Sequence, residues 1–494
     1  MTGRAGLGLI PRMLDPRAPV HLIGLAVMVL GASMVVPMAL DVLAGDANWR
    51  GFAMSGFLTV TAGGLAAGAT RGVRIGEADI RQIFVLTVAL WTVLPAFGAL
   101  PLILGAPALS PTDALFESMS GMTTTGSTVI AGIDALPPGA QIWRGMLQWF
   151  GGLGIVVVAL AFLPEMRVGG MQFFRSEAFD TLGKPLPRAA VIAASLTWVY
   201  IALTVACALV YDALGMSGFD AAVHALTTVA TGGFANYDAS MSAFEAPIQY
   251  AASFFMFAAS IPFIRVVQLA AGTARPLLID PQIRAYLGVL LTIAGAVSLQ
   301  RIVADGAPVE ESVRHALFNT ISIVSGTGYA SADYGTWGAF VAAIFFIGGL
   351  IGGCTGSTCC SVKIFRYQML LVALGAGLRK LHSPNAVVPL RYEGRKVEEE
   401  VISSVVAFFF LFMLTLAVVS ISLGMMGYDI VTAVSGAATA LANVGPGLGS
   451  IIGPSGNFAP LSDEAKWLLS AAMLLGRLEL MAVFALFTTA FWRA

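Results

Sequence analysis

A helix needs about 20 mostly apolar residues to cross the hydrocarbon of a bilayer, and this chain supplies ten such stretches. They run over 21–43, 51–69, 82–104, 141–164, 190–214, 247–270, 284–303, 337–377, 400–425 and 465–491, the eighth broken by glycines. Only 11% of the 494 residues are charged, against roughly 25% in soluble domains. No other feature narrows the fold as much: the chain reads as an all-α polytopic membrane protein. The formal net charge of -1 points to no nucleic-acid partner. Arg4, Arg12 and Arg17 precede the first apolar run without an obvious small-residue cleavage site, so that run is expected to be a retained helix.

Positive charge sets the expected orientation. With the N-terminus on the cytoplasmic side, nineteen Lys and Arg fall in cytoplasmic loops and five on the other side: Arg50, Arg144, Arg301, Arg314 and Lys466. Ten spans with both termini cytoplasmic follow. Four shorter stretches, near 112–124, 219–231, 312–326 and 429–443, are too short and too polar to span. All four lie on the outer side, among acids that include Asp113, Asp220, Asp238 and Asp429, and acids at a pore mouth concentrate cations.

Each short stretch ends in a glycine knot: MTTTGST, VATGGFAN, SGTGYAS and NVGPGLGS. With Gly126, Gly232, Gly328 and Gly445 in register, the separations are 106, 96 and 117 residues. Leu115-Phe116 and Leu317-Phe318 stand at the same distance before Gly126 and Gly328. A repeat of about 100 residues emerges, each copy a helix, a short apolar half-helix, a knot and a helix. Non-helical backbone at membrane depth survives only where it lines an aqueous cavity or is buried in protein. Four knots around one axis would present rings of backbone carbonyls that replace the hydration shell of potassium. Glycine permits the backbone angles this requires, and the half-helices would turn their negative C-terminal ends toward the axis.

These knots resemble the four filter segments of the Trk/Ktr/HKT superfamily of potassium transporters. LQWFGGLGIVVVALAFLPEMRVGGMQFFRSE resembles the second helix and following loop of the first repeat in the bacterial TrkH type, IGGCTGSTCCSVKIFR its broken third-repeat helix, and LLGRLELMAVFALF its last inner helix. The resemblance covers nearly the whole chain. It implies two leading spans in residues 1–75 and four pore repeats over 76–175, 176–275, 276–385 and 386–494, arranged about a pseudo-fourfold pore. It implies a potassium filter of Thr124, Thr125 and Gly126; Ala230, Thr231 and Gly232; Gly326, Thr327 and Gly328; and Asn443, Val444 and Gly445. Glycine at each key position implies potassium over sodium. A bacterial inner-membrane location, a homodimer with one pore per subunit and a cytosolic TrkA-type regulatory ring are implied too. No cofactor is expected in this chain. Potassium is the substrate, and ATP, ADP or NAD is expected only on the partner, since the chain has no GxGxxG unit. By position and charge, the loops around Arg167–Arg188 and Arg379–Lys396 are the expected docking surface.

The stretch Gly348–Cys360 has the glycine and hydroxyl density that breaks a helix. The family resemblance makes Gly352, Gly353, Cys354, Thr355, Gly356, Ser357 and Thr358 an intramembrane gate, with Lys363 beside it. Cys359 and Cys360 stand where the resemblance leads one to expect glycines. The three clustered cysteines pack as small apolar residues, or else bind a metal or respond to oxidation. Lys363 either serves the gate or snorkels to the interface. Arg477 falls mid-way along the last apolar stretch, where a charge costs roughly 2.5–3.5 kcal/mol. It is read as a pore charge that repels a cation or latches the gate; the alternative is a helix-holding pair with Glu479. Glu117 is read as a brace for the first half-helix and His224 as a satisfied structural histidine. Three rival functions remain. A secondary transporter would show inverted repeats, whereas these run in one orientation. An intramembrane enzyme would need clustered His, Asp or Glu, and the four histidines at 21, 224, 315 and 382 are scattered. A recruiting scaffold leaves the knots unexplained.

Overall fold

The computed structural model describes residues 15–72, 80–161 and 189–493. The chain is built from helices. The first apolar stretch is α1 (Arg17–Ser33) and α2 (Val35–Ala44), the second α3 (Trp49–Ala69), and the third is led by α4 (Ile80–Gly98). α1 lies against α3 because both carry small residues where they meet. A Cβ on Gly24 would fall 2.8 Å from the Gly63 carbonyl oxygen, and one on Gly31 2.9 Å from the Val60 nitrogen. Close backbone approach of this kind replaces the hydrophobic driving force that lipid removes.

A motif then occurs four times. The short helices are α5 (Pro111–Met122), followed by the long α6 (Pro138–Ala161); then α7 (Ala189–Ala213) and the short α8 (Gly218–Val229), followed by α9 (Ala246–Ser260) and α10 (Phe263–Ala270). Next come α11 (Pro281–Val303), the short α12 (Val309–Ser325), α13 (Ala339–Gly349) and α14 (Ile364–His382). The last set is α15 (Glu399–Met425), the short α16 (Ile430–Ala442), α17 (Asp463–Arg477) and α18 (Leu480–Leu486). The start of three of the short helices is written locally. Ser110 and Ser217 each accept a hydrogen bond from the backbone three residues on, at Asp113 and Asp220, and Asp429 accepts from Val431 and Thr432. These are N-caps, worth typically about 1 kcal/mol each.

Among the described residues six helices are long and apolar enough to cross a membrane, or eight if two bent pairs each count once. The bends correct the expectation of unbroken spans over 247–270 and 465–491. α9 and α10 meet at 100°, where Pro262 removes a helical donor and holds Ile261 extended, at φ -91° and ψ 158°. α17 and α18 meet at 109°, with Glu479 between them at φ +60°. α13 and α14 are separated by a buried loop whose ends pair as two parallel two-residue strands, β1 (Ile351–Gly352) and β2 (Val362–Lys363).

Several charges that entered the sidedness count are buried in the protein. Arg144 is on α6 and 1% exposed; Arg265, Arg301 and Lys466 are buried too. Each has a partner: Glu117 at 2.8 Å, Asp280 at 2.8 Å, Glu311 at 3.3 Å and Asp113 at 2.6 Å. They hold elements together and carry no information about sidedness. Arg4, Arg12 and the loop around Arg167–Arg188 lie outside the described residues.

Candidate functional site

The four short helices end alike. Backbone N–H groups of Thr125, Gly232, Thr327 and Val444 reach back to the carbonyls of Ser120, Thr227, Ser322 and Thr439, at 2.8, 2.9, 2.8 and 3.0 Å. This five-residue reach is the Schellman way of closing a helix, and it requires a left-handed residue just before the donor. Those residues are Thr124, Thr231, Gly326 and Asn443, at φ +51°, +51°, +72° and +53°. A second left-handed residue follows the donor: Gly126, Gly233, Gly328 and Gly445, at φ +87°, +77°, +82° and +108°. The register expected from sequence is therefore one residue out in the second copy. Gly233, not Gly232, is the counterpart of Gly126, and Gly232 is the counterpart of Thr125, Thr327 and Val444.

The turns touch in a closed order. A Cβ placed on Gly126 would meet the Gly232 carbonyl oxygen, one on Gly233 that of Thr327, one on Gly328 that of Val444, and one on Gly445 that of Thr125. All four approaches are under 3.0 Å, so no side chain fits at any of them. The first turn packs on the second, the second on the third, the third on the fourth, and the fourth on the first. Side chains brace this ring from behind. The Asn443 amide donates to Thr125 Oγ1 at 2.8 Å and to the Met473 carbonyl at 3.0 Å. Ser127 donates to the Gly445 carbonyl at 2.8 Å. Gln148 donates to the Gly232 carbonyl and accepts from the Phe234 N–H at 3.0 Å. Thr227 bonds the Tyr329 hydroxyl.

Glu117 is fully buried and acts as the expected brace. It accepts from Arg144 Nε at 2.8 Å, from the Val129 N–H at 2.9 Å and from Thr128 Oγ1 at 3.0 Å. Arg144 also donates to the Ala235 carbonyl at 2.9 Å and lies 4.2 Å over the Phe234 ring, so one ion pair ties the first turn to the second. His224 is satisfied through Nδ1 at the Asp220 carbonyl, 2.9 Å away. Asp220, at the N-terminus of α8, is pushed up by burial. Hydrogen bonds from the Asn236 amide at 2.8 Å, Ser217 at 2.7 Å and Tyr237 at 3.0 Å more than offset this and hold its carboxyl below the ordinary range. A chamber opens on one face of the ring. It is lined by Gly126, Gly233, Gly328 and Gly445, with Asp238 among its walls.

The loop between β1 and β2 packs against the turns, with Thr358 Oγ1 donating to the Val229 carbonyl at 3.2 Å. Its residues from Gly352 to Cys360 are all buried. Two of its hydrogen bonds take the place of those the break at Ile261–Pro262 releases: Cys354 N–H donates to the Ser260 carbonyl at 3.0 Å, and Phe263 N–H donates to the Gly356 carbonyl at 2.9 Å. Thr355 N–H donates to Gln282, and Thr358 Oγ1 donates to the Ala259 carbonyl, each at 3.0 Å. Ser357 turns inward on the Cys354 carbonyl at 2.7 Å, and Gly353 carries Ile364 N–H at 3.2 Å. Cys360 puts its sulfur 3.7 Å from Thr124 Oγ1 in the first turn.

Arg477 holds this loop. Its guanidinium donates to the Thr358 carbonyl at 3.3 Å, to the Cys360 sulfur and to the Gly151 carbonyl at 3.1 Å. The expected alternative, a pair with Glu479, does not form, because Glu479 is bound by Arg366 from α14. Lys363 is 5% exposed, too deep to snorkel. The cysteines are free, and no group of three or more His, Cys, Asp or Glu among the described residues is placed to hold a metal ion.

Residues 52–493 match the family model described as TrkH, cation transport protein. The chain belongs to the TrkH family. It is 42% identical over 468 residues to the Trk system potassium uptake protein TrkI of Halomonas elongata, covering 94% of this chain and 95% of that one. It is 35% identical to the Trk system potassium uptake protein TrkH of Escherichia coli, covering 97% and 99%. The crystal structure of the potassium transporter TrkH from Vibrio parahaemolyticus matches with a TM-score of 0.89 at 32% identity, over 97% of this chain and all of that one. The TrkH family is one of transport proteins rather than enzymes. In this TrkH-family chain, sequence reasoning passed over Gly233, Gln148, Arg144 and Arg366. Gln148 and Arg144 did leave a signal: a polar side chain inside an apolar span.

Proposed function

We propose that this chain carries potassium-selective uptake across the bacterial inner membrane, through a pore walled by four repeats. The observation that carries this reading is the closed contact order of the four turns. A chain that returns to its first turn after the fourth encloses an axis. Along that axis the carbonyls of Thr125, Gly232, Thr327 and Val444, with their flanking residues, form the potassium filter. The two leading spans occupy residues 1–75 and the repeats 76–175, 176–275, 276–385 and 386–494. The four short helices are the pore helices. The printed names of the relatives, which concern potassium uptake, support the choice of ion.

The loop from Gly352 to Thr358 is the gate, and Arg477 is its latch. With Cys360 sulfur against Thr124, this state is closed beneath the filter. Opening requires the Thr358 carbonyl and the Cys360 sulfur to leave Arg477, which a loop of small residues does at low steric cost. From the family resemblance we further infer a homodimer, both termini in the cytoplasm, and a cytosolic TrkA-type ring that senses nucleotide and docks near Arg379–Lys396.

The test is radioactive rubidium uptake into proteoliposomes, with potassium and sodium as competitors and the cytosolic partner added where flux is low. Block by potassium but not by equal sodium is expected, and Gly126→Ser should admit more sodium. Equal block by both ions in the wild type would refute the selectivity.

A further inference from the structure

The charges in the cavity beneath the turns do not balance. Cys360, Lys363, Arg477 and Glu479 line it, with Phe408 and Leu441 among its apolar walls. Its one carboxylate, Glu479, is taken by Arg366, whose guanidinium lies 3.8 Å over the Phe408 ring. Lys363 comes off β2 into this space 5% exposed, and among the described residues its amine has no hydrogen bond or ion pair. Arg477 spends its terminal nitrogens on Thr358, Cys360 and Gly151, while its Nε is buried with no partner. Two cations, Lys363 and Arg477, thus line a space with apolar walls whose one acid is held by a third, Arg366. Buried positive charge is costly until an opposite charge and hydrogen bonds satisfy it.

We propose that a halide-sized monovalent anion occupies this cavity, held between the Lys363 amine and Arg477 Nε. Size selects the ligand class. The cavity leaves about 20 Å³ for the centre of a water-sized body, slightly more than the 10–15 Å³ that one water needs. A halide-sized anion fits. Both donors are N–H groups on cations, which suits a spherical acceptor with no directional demand. The consequence for flux rests on the pore reading given above. A potassium ion leaving the turns toward this cavity meets two uncompensated positive charges when it is empty and one when the anion is bound. Halide is then a co-activator of conduction, and Lys363 is the residue that makes the gate sensitive to it.

The binding test needs no transport. The full-length protein is prepared in potassium bromide and its anomalous scattering recorded at the bromine edge. In parallel, thermal unfolding is followed in potassium chloride and in potassium gluconate of equal ionic strength. A bromide peak between Lys363 and Arg477 is expected. Chloride should raise the unfolding midpoint of the wild type and of Lys363→Arg, and not that of Lys363→Met. Absence of the peak, with the same chloride shift in the wild type and Lys363→Met, overturns the site. In proteoliposomes, lumenal chloride in place of gluconate should raise rubidium uptake by roughly tenfold, the effect of about 1.4 kcal/mol of relieved repulsion. Lys363→Met should not respond. A bromide peak with chloride-insensitive uptake keeps the site and overturns its role in conduction. A peak with no uptake under any condition faults the pore reading instead.

Discussion

The shifted register in the second turn makes a sharp prediction about two adjacent glycines. A methyl group on Gly233 would fall under 3.0 Å from the Thr327 carbonyl, whose carbon lies 2.9 Å away. The carbonyl oxygen is closer still, so to reach the 3.4 Å of ordinary contact the third turn must retreat by more than an ångström. Gly233 also sits at φ +77°, where a side chain costs about 1–2 kcal/mol. Overpacking adds about 1–3 kcal/mol, for a total of about 2–5 kcal/mol that falls on the contact between the second and third turns. A methyl on Gly232 meets the end of the Gln148 side chain instead, and that end can swing away. The cost there is its hydrogen bonds to the Gly232 carbonyl and the Phe234 N–H, about 1–2 kcal/mol. Gly233→Ala should therefore abolish the preference of rubidium uptake for potassium over sodium competition, or abolish uptake. Gly232→Ala should keep a measurable preference. If the two variants behave in the reverse order, the backbone register argued here is wrong.

Three further outcomes are expected. Arg477→Met removes the bonds to the Thr358 and Gly151 carbonyls, each worth about 1.5–3 kcal/mol for a charged donor. Uptake by the partner-free protein should rise by about tenfold or more, and unchanged uptake by a folded variant would refute the latch. Glu117→Ala strands Arg144 inside the protein, so thermal unfolding in detergent should report a loss of about 3–5 kcal/mol. A loss no larger than the 0–1 kcal/mol of a surface pair would show that the brace carries no load. Gln148→Leu frees the Gly232 carbonyl and the Phe234 N–H. Potassium-over-sodium preference should fall more than stability does, and a change in stability alone would limit Gln148 to packing.

What the sequence made legible follows from what membranes demand. Most of the spans and the four short helices were visible because length and apolarity are near-absolute requirements in lipid. The second-turn register was not, because ATGGF offers two neighbouring glycines and only the bond from Gly232 N–H to the Thr227 carbonyl chooses between them. Counting charge by side took Arg144, Arg265, Arg301 and Lys466 as markers of sidedness, since a window of residues cannot see Glu117 or Asp280. Pro262 was readable and unread; its bend opens the backbone groups that the loop from Cys354 to Gly356 then fills. The turns themselves break a local rule. Thr124 and Thr231 hold φ +51°, which β-branched residues rarely adopt, at a cost on the order of 1–3 kcal/mol each. Helix propensity and turn chemistry alone would place glycine or asparagine there, as Gly326 and Asn443 do in the other two copies. Threonine persists because each neighbouring turn fixes the next, so tertiary contact overrules local preference around the whole ring. Disagreement between local rule and observed backbone is expected where function has been placed. Here it falls on two of the four left-handed residues of the ring, and the hydroxyl of one of them, Thr124, lies 3.7 Å from the Cys360 sulfur of the loop below.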